Sequence, residues 1–319
     1  MKKLLIMVSA LTAAVFSAAK ADITASGSAG LHMVSGGNVE GANDQTGTNT
    51  LFMNGAAVSF AMSTTTAGGM SISTSAGVSL DSNDNDATKG ATGMANIKFG
   101  LDGFSFTVGD VDTVGDGTGH VGNVASDAVD EGGYTATGIA TGISDTEGYG
   151  FVASTSVGGA SVSVSYLLDH GNTEVNNAET ASGDYSTGLS VSIPMGDMTI
   201  GLGYANMIKA ATGSSNETTN GISVAYALPQ ATVKVGYESS DLSSDATTTA
   251  AAISGSLDAD TTWAIGYTDG EQGTSASTRT EAKLTRSLGG GASVYAEIQS
   301  TSGTGSSGTN LAVGTTVAF

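Results

Sequence analysis

From residue 22 onward, apolar and polar side chains alternate one for one in short runs. In 161–168 the larger apolar residues are Val162, Val164, Tyr166 and Leu168, with Ser161, Ser163 and Ser165 between them. Residues 221–228 give Ile222, Val224, Tyr226 and Leu228. In 231–238, Val233, Val235 and Tyr237 stand against Thr232, Lys234 and Glu238, and 262–268 carries Trp263, Ile265 and Tyr267. The last run sets Leu311, Val313, Val317 and Phe319 against Asn310, Ala312, Thr316 and Ala318. A repeat of two is the period of a β-strand with one apolar and one polar face. The spacing predicts sixteen strands, at 22–34, 50–63, 70–80, 93–101, 104–111, 148–157, 160–168, 185–194, 197–208, 219–228, 231–239, 250–258, 261–268, 278–288, 292–300 and 309–319.

The connections between these runs alternate in length. Short ones fall at 158–159, 229–230, 258–260 and 289–291, and long polar ones at 35–49, 81–92, 112–147, 169–184, 209–218, 240–249, 269–277 and 301–308. The alternation alone has two solutions. In a soluble sandwich the apolar face is the core; in a barrel within a bilayer it faces lipid, and the polar face lines a lumen. Three features favour the barrel. An even strand count with short turns at one end and long loops at the other is the outer-membrane pattern. Tyr166, Tyr185, Tyr204, Tyr237 and Tyr267 fall toward the long-loop rim, while Phe99, Phe104, Tyr226, Trp263 and Phe319 fall toward the other, as two aromatic girdles would. The third feature is the start of the chain. Lys2 and Lys3 precede an apolar run from Leu4 to Phe16 that closes at Ala19-Lys20-Ala21, the layout of an export signal over 1–21. About 13 apolar residues fall short of the roughly 20 that a spanning helix needs.

Composition narrows the function. The 319 residues carry 30 acids, 10 bases and a formal charge of −20, and removing 1–21 takes three lysines and no acid, leaving −23. Such a balance excludes nucleic acid as a partner, because phosphate binding needs clustered Lys and Arg. With no cysteine and three separated histidines, His32, His120 and His170, thiol chemistry and histidine-built zinc sites are excluded. Matches to G-x-G-x-x-G at 117–122 and 303–308 open no helix and read as loop glycines. The run 81–86, DSNDND, resembles half a calcium loop without its glycine and final Glu. No nucleophile elbow supports a hydrolase triad, so no catalytic residue is assigned.

These residues resemble the trimeric general porins of Gram-negative outer membranes, and most closely the Rhodobacter-type porins. Segment 104–113, FSFTVGDVDT, is similar to that family's fifth strand entering its constriction loop. Segment 147–169, EGYGFVASTSVGGASVSVSYLLD, is similar to the strand pair after it, and 22–31 to the opening strand. The chain ends LAVGTTVAF, and Phe319 matches the terminal phenylalanine that barrel-assembly machinery reads. The resemblance implies a transmembrane antiparallel barrel over 22–319, a homotrimer in contact with outer-membrane lipid and lipopolysaccharide, and passive diffusion of small hydrophilic solutes without a required cofactor.

It also implies that 112–147 folds into the lumen as a constriction. That segment holds Asp112, Asp116, Asp127, Asp130, Glu131, Asp145 and Glu147, and no Lys or Arg. A connection of this length is more often functional than not. Facing it, alternation places Lys98, Lys234, Arg279 and Lys283 on the lumenal wall, interspersed with Glu238, Glu281 and Glu297. Acids on the loop opposite bases on the wall set a transverse field that filters solutes by charge. The acidic loop and the basic wall oppose each other on the sign of selectivity, and the overall balance leans to cations. Weakly bound calcium is implied at Asp110, Asp112 and Asp116. The competing expectation is a secreted structural or adhesive β-rich protein without a pore.

Overall fold

A computed structural model describes residues 22–36, 50–80, 89–92, 96–119, 147–168, 184–209, 215–241, 245–303 and 307–319. Every regular element among them is a strand: β1 (Asp22–Gly36), β2 (Thr50–Thr65), β3 (Ser71–Leu80), β4 (Lys89–Thr92), β5 (Asn96–Leu101), β6 (Phe104–Asp112), β7 (Glu147–Val157), β8 (Ala160–Leu168), β9 (Tyr185–Met195), β10 (Met198–Ile208), β11 (Glu217–Ala227), β12 (Ala231–Ser240), β13 (Ala246–Ser256), β14 (Thr261–Gln272), β15 (Ser275–Gly289), β16 (Ala292–Gly303) and β17 (Gly308–Ala318). Apart from β4 and β5, each pairs antiparallel with its neighbour in sequence, and β1 pairs with both β2 and β17. The sheet therefore closes on itself. Both β4 and β5 lie along β3, with Gly77 opposite Thr92 and Ser73 opposite Lys98. They are two parts of one stave, so the barrel has sixteen staves, as the alternation predicts. The stave begins at Lys89, earlier than the expected residue 93.

Alternation sorts the side chains by face. Along β12, Val235 and Tyr237 point outward and are 47% and 45% exposed, while the next residue, Glu238, is fully buried on the inside. Leu202, Ile222, Ile265, Leu284 and Leu311 are likewise exposed on the outer surface. Among the described residues the one apolar cluster that is buried is Ala205 with Met207. A continuous belt of exposed Val, Ile, Leu and aromatic residues is stable only against hydrocarbon. The observed fold is thus the lipid-facing solution of the pattern.

Local chemistry explains the connections. Asp102-Gly103 and Gly158-Gly159 have positive φ at both residues, the conformation that lets two strands reverse in two residues with matched twist. At the other end the sequence expectation needs correction. The predicted long connection at 269–277 shrinks to Gly273 and Thr274, because β14 runs to Gln272 and β15 starts at Ser275. Here Asp269 and Glu271 stand opposite Thr249 and Thr247 on β13. Such ends rise past the lipid band: both faces turn polar, and the apolar period disappears although the ladder continues.

Three glycines pair directly with aromatic residues. Gly27 and Phe319 exchange both backbone hydrogen bonds, at 2.7 and 2.9 Å, at the seam between β1 and the chain end. Gly255 lies opposite Trp263, and Gly314 opposite Tyr295. At Gly27 and Gly314 an added Cβ would fall within 3.0 Å of the ring, so each ring covers its bare backbone. Replacing Gly27 by Val therefore displaces Phe319 and weakens the closing seam by about 0.5–1.5 kcal/mol, a cross-strand contact's worth. The expected result is a lower temperature for loss of the compact, SDS-resistant band on gels, with an unchanged transition for Gly68→Ala, whose added Cβ meets only Thr66 Oγ1 at 3.9 Å.

Candidate functional site: the inner wall of the barrel

The inward register collects the charged wall residues that alternation predicts: Lys98 on β5, Lys234 and Glu238 on β12, Arg279, Glu281 and Lys283 on β15, and Glu297 on β16. Their arrangement differs from a row of bases awaiting a loop. Lys283 and Glu297 are direct cross-strand partners, and Nζ lies 3.1 Å from Oε1. The same Nζ stands 5.6 Å from the Tyr295 ring centre. Arg279 Nε lies 3.3 Å from Glu281 Oε1, which also accepts a hydrogen bond from Gln299 Nε2 at 3.2 Å. Glu238, Glu281 and Glu297 are all buried. Buried carboxylates need partners, since an isolated buried charge costs several kcal/mol. Two of the four wall bases thus neutralise acids on their own wall.

The chain after β6 enters the lumen. Thr113 Oγ1 shares a 2.6 Å hydrogen bond with Ser186 Oγ, and Val114 N–H donates to Ser165 Oγ at 3.0 Å. Gly119 N–H donates to Glu238 Oε2 at 3.0 Å. These three contacts carry residues 113–119 across the inner faces of β8 to β12. A lane of inward glycines makes room for it. A Cβ at Gly188, Gly203, Gly221 or Gly236 would fall within 3.0 Å of backbone at Val114, Gly115 or Gly119. Sequence reasoning missed this lane. Its signal is present: glycine at inward positions of four consecutive strands, where serine or threonine would otherwise serve a wet wall.

The predicted loop acids separate into groups. Asp112 and Glu147 pair with each other at the ends of β6 and β7, so they form the root of the connection rather than part of it. Asp116 is half-buried within 113–119. Asp127, Asp130, Glu131 and Asp145 lie outside the described residues, as does the segment 1–21 expected to be an export signal. Asp110 stands opposite Tyr149, and its carbonyl accepts from Asn96 Nδ2 at 3.1 Å. A cavity of about 530 Å³ separates Lys98 from the chain at Asp110–Asp112. Among the described residues no three acidic or histidine side chains gather where they could hold one metal ion.

Burial grades along the wall. Inward residues toward the long connections are covered, including Thr248, Ser277, Gln299 and Asn310. Toward the short turns, inward Thr232, Ser254 and Thr262 are exposed and help to line a cavity of about 690 Å³ with Lys283 and Thr285. The arrangement is a tube with a polar, charge-bearing inner wall.

A model of a family described as Gram-negative porin matches residues 6–306. The chain belongs to the Gram-negative porins. A search of curated proteins gives no match. Among solved structures, the barrel is similar to a loop-deleted form of an outer membrane protein of Vibrio cholerae, with TM-score 0.69, 15% identity, and 94% of this chain and 99% of that one covered. It is similar to an anion-selective porin from Comamonas acidovorans, with TM-score 0.68, 13% identity, and 94% and 100% covered. A mutant of Rh. blastica porin gives TM-score 0.67, 15% identity, and 94% and 100% covered. This porin is a passive outer-membrane channel, and its family and fold are those of a transport protein rather than an enzyme.

Removing one member of a wall pair tests the electrostatics. Lys283→Ala strands Glu297 and is expected to destabilise the barrel by about 3–5 kcal/mol, whereas Lys283→Met with Glu297→Gln recovers most of it. Urea midpoints of the refolded protein read both. For the porin's inner segment, Glu238→Gln keeps the shape but gives up a charge-assisted bond, a loss of about 1–2 kcal/mol. Single-channel records are expected to show greater open-state current noise in Glu238→Gln than in the native porin.

Proposed function

We propose that the connection between β6 and β7 narrows the pore and that its acids make the channel prefer cations. The observation that carries this reading is the course of 113–119 inside the barrel, anchored to Glu238 and seated on the glycine lane. The connection proper, 113–146, holds five acids and no Lys or Arg. Arg279 and Lys283 are already matched by Glu281 and Glu297, which leaves Lys98 and Lys234 as the opposing bases. Uncompensated acid at a narrow section favours cations through focusing of the field. The Comamonas porin is anion-selective; with 30 acids to 10 bases, this chain is expected to select the opposite sign.

Further parts of the reading rest on the family likeness. The working unit is a homotrimer in contact with outer-membrane lipid and lipopolysaccharide. Residues 1–21 direct export. Phe319, 75% exposed at the rim even as it covers Gly27, is available to the assembly machinery. Diffusion needs no energy source, cofactor or catalytic residue; calcium at Asp110, Asp112 and Asp116 would be weakly held and dispensable.

The deciding measurement is the reversal potential of refolded protein in a planar bilayer under a KCl gradient. A cation-selective potential is expected, and Asp116→Asn with Asp127→Asn is expected to reduce the cation-to-anion ratio. An anion-selective potential overturns the assignment to the acids and transfers control to Lys98 and Lys234. Absence of conductance from folded protein overturns the channel.

A further inference from the structure

Near the short-turn rim, one base stands on the outer face. Arg286 shares its outward register with Leu284 and Leu288, and it pairs with Thr261 on one side and the exposed Val294 on the other. The other described bases of that half, Lys98, Lys234 and Lys283, point into the lumen. Arg286 Nη1 donates to Thr261 Oγ1 at 3.0 Å and lies 3.7 Å from Asp258 Oδ2. Its Nε and Nη2 make no hydrogen bond or ion pair with a described residue. Arg286 and Asp258 are each more than half exposed, so a cation and an anion stand side by side where the lipid face meets water.

Directly along the strands from Arg286 lies an apolar groove of about 360 Å³. Ala282 and Ala296 form its floor, and Trp263, Leu284, Ile298 and Leu311 its walls. The register sets these in successive rows: Thr261, Arg286 and Val294; then Trp263, Leu284 and Ala296; then Ile265, Ala282 and Ile298. Four residues of strand separate Arg286 from Ala282, about 13 Å at the strand rise. The groove therefore starts one row in from the charged pair and runs toward the bilayer centre. Its dimensions suit one hydrocarbon chain, and the pair suits a headgroup carrying both signs.

We propose that this face binds one zwitterionic phospholipid with a phosphoethanolamine headgroup. The phosphate sits on the Arg286 guanidinium, the ammonium on the Asp258 carboxylate, and one acyl chain over Ala282 and Ala296. The inference rests on the reading that the outer face lies in a bilayer with its short turns on the periplasmic side. The free donors of Arg286 match phosphate oxygens. Asp258 selects the amine: an ammonium donates hydrogen bonds to it, a quaternary choline does not, and a glycerol headgroup leaves its charge unmatched. Asp258 remains ionised, because the Asp260 backbone N–H, the Thr261 hydroxyl and then Arg286 hold its carboxyl below the usual carboxylate range. Trp263 beside the headgroup row supplies the amphipathic ring that interfaces favour.

The test is native mass spectrometry of the intact barrel in detergent with equal amounts of phosphatidylethanolamine, phosphatidylcholine and phosphatidylglycerol of identical acyl chains. The ethanolamine lipid is expected to be retained preferentially. Arg286→Gln is expected to reduce its retention about ten-fold, the effect of a lost charge-assisted contact. Asp258→Asn is expected to abolish the preference among headgroups while phospholipid still binds. Ala296→Trp fills the groove and is expected to lower retention of all three lipids with single-channel conductance unchanged. Equal retention of the three lipids by the native barrel, or native-like retention by Arg286→Gln, overturns the site. Conductance is recorded for each variant: lost lipid binding in conducting barrels refutes this site alone, whereas lost conductance in the native barrel refutes the channel.

Discussion

The structure depends on a closed ladder of backbone hydrogen bonds. In hydrocarbon no water is available for an unpaired N–H or C=O, and each one left open costs several kcal/mol. A sheet with free edges is excluded there, so the pairing of β1 with both β2 and β17 is the condition on which the whole depends. The first and last strands meet at this seam, where Phe319 and Gly27 exchange backbone hydrogen bonds. Elsewhere glycine weakens a strand, because it contributes no side chain and loses much entropy on ordering. The covering ring of Phe319 offsets that weakness at the position where closure depends on it.

Once the ladder is closed, the usual relation between core and surface is reversed. Val235, Ile265 and Leu311 face outward, and the buried side chains include Glu238, Glu281, Glu297 and Gln299. Stability cannot then come from a hydrocarbon core, and the inner wall holds together by paired charges and shared hydroxyls. Lys283 with Glu297, and Arg279 with Glu281 and Gln299, satisfy one another across one pair of strands. Under the proposed cation preference the same pairs also bear on function, since a base spent on a wall acid no longer offsets acid in the pore.

Most of the fold was legible in the sequence. Alternation in runs such as 161–168 and 231–238 located the staves and assigned lumen or lipid to each residue, because the strand period is two and one slip reverses every side chain. It failed at 269–277, where polar side chains on both faces of a continuing strand look like a loop. The wall charges were legible for the same reason that the strands were: Lys234, Glu238 and Lys283 each fall on the inward parity. Their partners were not, since register between strands decides that Lys283 meets Glu297 rather than an acid on the loop.

By itself the sequence determined the strand period, the even number of staves, the two faces and the acidic excess, because these are local patterns or sums over residues. Tertiary structure alone decided which residues meet. It placed Gly188, Gly203, Gly221 and Gly236 on adjoining strands as one lane, and so turned four ordinary glycines into the seat of an inner segment. It also brought Arg286 beside Asp258 at the head of a groove floored by two alanines. The physical reason is common to both: close approach and charge pairing act over a few ångströms between residues far apart in the chain, and only the closed register sets those distances.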